Sequence, residues 1–163
     1  MPKYVHPIYS RPGHLIRRLQ QIAVAIFMNE TKSFNITPVQ YSALLAVEMH
    51  PGLDQATLVK IIAYDRSTIG NVVARLEAKK WVKRERAARD RRSKCLTITS
   101  EGRKTLRAID STVDRAQGLI LAPLRPVERR VFIAMLERLV KLNNSRSRAP
   151  LDQKRPVKTR LRH

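Results

Sequence analysis

The sequence predicts a mainly α-helical fold, six helices with one small β-hairpin, and three observations carry that prediction. Apolar residues recur at helical spacing through most of the chain. Two short amphipathic segments, 55–63 and 66–80, adjoin with only a tight turn between them. Behind them, two short β-prone stretches flank a strongly basic run.

Each element has its own signal. Residues 1–12, broken by Pro2, Pro7 and Pro12, read as an N-terminal arm. In residues 13–33, Leu15, Leu19, Ile22 and Ile26 stand at 4-3-4 spacing beside Ile16, Ala23 and Phe27, an apolar stripe on a first helix. Thr37-Pro38 is an N-cap followed by proline in the first helical position, opening a second helix that Pro51-Gly52 ends. Asp54 can cap a third helix over 55–63, and Asp65 a fourth over 66–80.

The fourth helix is two-faced. Ile69, Val72, Val73 and Leu76 share one side, while Ser67, Thr68, Asn71 and Arg75 fall within about 100° on the other. Trp81-Val82 and Cys95-Leu-Thr-Ile-Thr then suit a two-stranded hairpin with a basic tip. Thr99 or Ser100 caps a fifth helix, 100–121, which Pro123 breaks. Pro126 opens a sixth, 126–142, striped by Val131, Phe132, Met135, Leu136, Leu139 and Val140. Beyond it the stripe vanishes, so 143–163 reads as a basic, disordered tail.

Charge points to the partner. The 163 residues hold 33 Lys and Arg against 13 Asp and Glu, a net of +20, far beyond what solubility requires. Residues 79–94 contain nine cations against Glu85 and Asp90; residues 144–163 contain seven against Asp152. A polyanion, and double-stranded DNA above all, is the expected partner. No apolar run approaches the roughly 18 residues that cross a membrane, the first residues lack a secretory core, and one cysteine makes no intrachain disulfide. These features suit a cytoplasmic protein.

Two short helices, a tight turn and a basic hairpin together make a winged helix-turn-helix. The second helix of such a pair enters a major groove about 12 Å wide. Asn71 and Arg75 are the types that read adenine and guanine edges, and the Ser67 and Thr68 hydroxyls suit phosphates or bases. In the wing, Arg89, Arg91, Arg92 and Lys94 suit an adjacent minor groove. Asp90 can hold Arg92 in one orientation, or simply form an Asx turn.

The run Asp90-Arg-Arg-Ser-Lys-Cys-Leu-Thr-Ile-Thr-Ser-Glu-Gly102 resembles the wing signature of the MarR (multiple antibiotic resistance regulator) family. The spacing of TPVQYSALLAV and DQATLVKIIAYDRSTIGNVVARLEAKKWVKR matches too, so the likeness covers residues 13–142, with a DNA lobe over 37–99. It implies a transcription regulator working as a triangular homodimer. The first, fifth and sixth helices interlock, and the two lobes read a near-palindromic operator. The residues agree independently, because three amphipathic helices outside the lobe offer more apolar surface than the lobe can cover.

RPGHLIRRLQQIAVAIF together with TPVQYSALLAV resembles the branch governing catabolism of nicotinate and related aromatic acids. That implies a repressor released by a small aromatic carboxylate. His14, Arg18 and Gln21 share one flank of the first helix and Tyr41 opens the second, a set able to hold a carboxylate on an apolar wall. Ordinary boundary roles for His14 and Arg18 stand beside that reading.

A redox-responsive regulator using Cys95 is an alternative, as is an architectural DNA- or RNA-binding protein without sequence choice. Cys95 also reads as a half-buried small hydrophobe. No phosphate loop, catalytic triad or metal-ligand spacing is present in the sequence, and the four histidines are scattered. No enzyme, cofactor or metal is expected.

Overall fold

A computed structural model of the protein describes residues 7–86 and 94–152. Among the described residues the chain forms six α-helices and one three-stranded antiparallel sheet. In order they are α1 (Pro12–Glu30), α2 (Pro38–Met49), β1 (Leu53–Asp54), α3 (Gln55–Ile62), α4 (Arg66–Ala78), β2 (Val82–Arg86), β3 (Lys94–Ile98), α5 (Ser100–Leu121) and α6 (Pro126–Asn143).

Helix starts follow local hydrogen bonding. The side chains of Thr37, Asp54, Asp65 and Thr99 each accept the backbone N–H three residues on, at Gln40, Thr57, Thr68 and Gly102. Thr37 goes further, because the Gln40 side chain reaches back to accept the Thr37 N–H and closes a capping box. At α6 only the return half of such a box forms: the Glu128 carboxylate accepts the Arg125 backbone N–H at 2.8 Å and its guanidinium at 2.7 Å.

The expected hairpin forms as part of a three-stranded sheet. Leu53 and Asp54 add a third strand, in the order β1-β3-β2, pairing with Leu96 and Cys95. A two-residue strand has no periodicity to betray it; it exists because β3 offers a free edge where the chain passes. β2 and β3 pair from Val82↔Ile98 to Arg86↔Lys94.

Phe27, Ile36, Leu44, Val47, Leu58, Ile69, Val73, Leu76, Val82, Leu96, Ile98 and Ile109 make one buried core beneath the lobe. α1 packs along α5, tied at its end by Glu30 to Arg115, 2.5 Å apart. Arg103 of α5 grips Glu48 of α2 through both carboxylate oxygens, at 2.9 and 2.7 Å. α6 differs. None of its residues is buried, and Val131, Met135, Leu139 and Val140 are about half exposed or more. Among the described residues nothing covers that much apolar surface on this 18-residue helix.

Gly102 joins wing to helix by close approach. A Cβ there would overlap the Trp81 carbonyl oxygen and stand 2.8 Å from Ile98 Cγ1. Backbone cannot swing aside as a side chain can, so Gly102→Ala is expected to destabilise by about 1–3 kcal/mol. Helix propensity alone predicts the opposite sign. A thermal melt should fall by roughly 3–10 °C; an unchanged or higher midpoint would refute the contact.

Structure continues beyond both ends of the α1–α6 span. Pro7–Ser10 form a 3₁₀ turn, sealed by the Ser10 hydroxyl donating to the Pro7 carbonyl, so the arm is folded from residue 7. The segment after α6, expected to be disordered, is ordered through Asp152. The reason is non-local: Asn144 and Leu151 bond to each other and Asp152 bonds to α3.

Candidate nucleic-acid interface

α3 and α4 meet at a turn built by two local features. Ala63 closes α3 in the left-handed conformation at φ 54°, and Asp65 caps α4 two residues later. α4 then seats Ile69, Val72, Val73 and Leu76 in the core. That fixes its rotation, so Ser67, Asn71 and Arg75 stand exposed on the far side and Thr68 is half-buried.

Asp65 changes the role of the first two. Its carboxylate accepts the Ser67 and Thr68 hydroxyls, each at 2.6 Å, and the Thr68 N–H at 2.8 Å. These bonds, the Ser67 one foremost, hold its pKa well below the usual carboxylate range. A hydroxyl whose proton is committed to Asp65 has none to give a phosphate. Ser67 and Thr68 stiffen the start of α4 in this way. Asn71 and Arg75 are exposed on the same side of α4, an amide and a guanidinium facing outward.

On the wing, Lys94 is exposed at the start of β3, opposite Arg86. Arg89, Asp90, Arg91 and Arg92 lie outside the described residues. The base of the wing is braced: Arg84 Nε donates to Glu77 of α4 at 2.9 Å, and Lys83 pairs with Glu85 at 2.6 Å. Lys79 sits 4.4 Å above the Trp81 ring while donating to the Asn35 carbonyl, and burial lowers its pKa. Cys95 is half-buried, its Sγ donating to the Glu85 carbonyl at 3.4 Å.

Sequence reasoning missed a second basic surface. Lys83, Arg103, Lys104 and Arg107 line a groove of about 480 Å³ between the sheet and the start of α5. The spacing 103, 104, 107 on one helix was the available signal.

The four residues expected to bind an effector do not converge in one chain. Arg18 donates to Gln21 at 3.0 Å, both exposed, and His14 packs edge-on to Tyr9 with ring centroids 5.5 Å apart. Tyr41 instead packs against Phe27, centroids 6.0 Å apart. Nine residues of α1 separate Phe27 from Arg18, about 13–14 Å along the axis. Burial, with the carboxylates of Asp110 and Asp114, raises the Tyr41 pKa and keeps its phenol protonated. Among the described residues no group of three or more His, Cys, Asp or Glu is placed to hold a metal ion, and no helix is long and apolar enough to cross a membrane.

A helix-turn-helix with a β-wing and a basic face defines a winged-helix DNA-binding transcription regulator. The comparisons with known proteins agree. The profile of the MarR family matches residues 34–93. The HTH-type transcriptional repressor NicR of Pseudomonas putida is 28% identical over 135 residues, 83% of this chain and 85% of NicR. The PcaV transcriptional regulator of Streptomyces coelicolor, solved with its natural ligand, superposes with a TM-score of 0.75 at 35% identity, covering 84% of this chain and 96% of PcaV. BpsR of Bordetella bronchiseptica, whose DNA binding is regulated by 6-hydroxynicotinic acid, superposes with a TM-score of 0.77 at 27% identity, over 83% of this chain and 96% of BpsR. The chain belongs to the MarR family.

Proposed function

We propose that the protein is a cytoplasmic transcriptional repressor that binds a palindromic operator as a homodimer and releases it when a small aromatic carboxylate binds. The observation that carries this reading is the exposed Asn71 and Arg75 face of α4, aimed outward by a fully apolar seat. A merely charged surface would serve an architectural protein; an amide and a guanidinium held one turn apart suit base edges. The uncovered stripe of α6, with Leu15, Ile16 and Ile22 of α1, supports pairing of two chains. Two recognition helices would then address half-sites one turn apart, about 34–36 Å.

Competition binding tests the reading. At fixed salt the protein should prefer a palindromic fragment from the region it controls over random duplex by at least ~10³. Equal affinity would leave the architectural alternative standing.

The effector reading rests on NicR, PcaV and BpsR as relatives and on the apolar and polar lining available at α1 and α2. Arg18 and Gln21 of α1 offer a carboxylate clamp, and an aromatic wall for the same small ligand would have to come from a second chain, since Tyr41 packs on Phe27 about 13–14 Å further along α1. Arg18→Ala should abolish release of operator DNA by 6-hydroxynicotinate or benzoate while sparing DNA binding, read by anisotropy of labelled operator. Normal release would remove Arg18 from the effector site.

A further inference from the structure

The chain beyond α6 returns to the helix-turn-helix and closes a cavity against it. Asn144–Arg146 make a 3₁₀ turn. The Asn144 carboxamide then pairs with the backbone of Leu151: Nδ2 donates to the Leu151 carbonyl at 2.9 Å and the Leu151 N–H donates to Oδ1 at 2.8 Å. One amide side chain thereby clasps the returning segment, using its donor and its acceptor together. One residue on, the Asp152 N–H donates to the Lys60 carbonyl in the last turn of α3, at 3.3 Å. The segment is thus fastened to α6 and to α3 at once, and it forms a fixed wall.

The space it encloses is about 550 Å³, inside the roughly 300–1,000 Å³ of small-molecule sites. Its lining is of two kinds. Tyr64, Pro150 and Leu151 present apolar surface, while Arg66 in the first turn of α4 and Arg148 on the returning segment bring guanidiniums to the same cavity. Among the described residues neither arginine is in an ion pair. With Lys60 they set three cations against Asp65 and Asp152, one positive charge in excess. The Asp65 carboxylate is turned to its own helix start, where it accepts the Ser67 and Thr68 hydroxyls. Arg18, Gln21 and Tyr41 are not among the lining residues.

An apolar floor excludes a ligand that is charge alone, and two guanidiniums favour an acid over a neutral ring. A planar carboxylate meets a guanidinium fork through paired hydrogen bonds, and a flat ring covers the phenol and the proline. We propose that this cavity is a second ligand site, apart from α1, which takes a small organic monoacid with a flat apolar body and holds its carboxylate with Arg66 and Arg148. The site stands independently of the operator and of the α1 clamp, because no group that lines it belongs to either argument.

Calorimetry without DNA tests it. The full-length chain carrying Arg18→Ala, so that the α1 clamp is removed, is titrated with 2-naphthoate and with its uncharged counterpart 2-naphthamide. One naphthoate should bind per chain, and the amide at least about tenfold more weakly, the worth of a charge-assisted bond. Arg66→Gln and Arg148→Gln, both at exposed positions, should each weaken naphthoate by about tenfold or more. Asn144→Ala, which removes both clasp bonds and no charge, should weaken it as well. Inorganic phosphate, an anion without an apolar body, should not displace the probe.

Unchanged affinity in the two arginine variants, or equal binding of acid and amide, would overturn the site and assign the heat to the exposed apolar stripes. Displacement by phosphate would overturn the apolar half of the argument. Full affinity in Asn144→Ala would remove the returning segment as a wall. Operator binding enters none of these measurements, so its failure would count against the proposed function alone.

Discussion

Leu136→Glu combined with Leu139→Glu on α6 is expected to yield a monomer that no longer holds operator DNA. Both leucines lie on the uncovered stripe, 38% and 54% exposed, and among the described residues α6 makes few contacts beyond the turn that follows it. Charge placed there has little to disturb in a single chain. Across a two-fold interface it brings four carboxylates into an apolar seam, where desolvating them costs far more than the lost leucine contacts. Losing the dimer removes the second half-site and its effective concentration, so operator affinity should fall at least ~10²-fold. Sedimentation and operator anisotropy, measured together, check the pair. A dimer of unchanged affinity would place the interface elsewhere.

The second large effect concerns specificity. Asn71→Ala and Arg75→Ala should each reduce operator affinity about 10–100-fold, the equivalent of about 1–3 kcal/mol for one bidentate base contact. Random duplex should lose much less, so the preference itself collapses. Arg92→Ala should behave differently, weakening all duplexes alike and lowering the salt slope by about 1. Uniform loss from Asn71→Ala would show that α4 touches only backbone. The geometry behind this contrast is rotational: Ile69, Val72, Val73 and Leu76 are all at most 5% exposed, so α4 cannot turn its other face outward without emptying the core.

Much of this molecule is written locally. Thr37, Asp54, Asp65 and Thr99 mark helix starts because an N-cap bond spans only three residues, a distance the chain's order preserves. The six helices and their apolar faces follow from spacing for the same reason. The double engagement of Asp65 by Ser67 and Thr68 was also within local reach. It went unread because hydroxyls beside a basic surface invite a phosphate-binding role before a capping one.

The sequence alone determined six amphipathic helices, four of them opened by a side-chain cap, a basic hairpin, and the face of α4 that carries an amide and a guanidinium outward. Tertiary structure decided what depends on residues meeting from far apart: β1 on the free edge of β3, Arg103 on Glu48, the overlap that forbids a side chain at Gly102, and Tyr41 drawn to Phe27 and away from Arg18. It also seated the Asn144–Leu151 clasp beside α3. Periodicity and capping act over a few residues along the chain, whereas edges, close approaches and long ion pairs exist only once separate elements have packed.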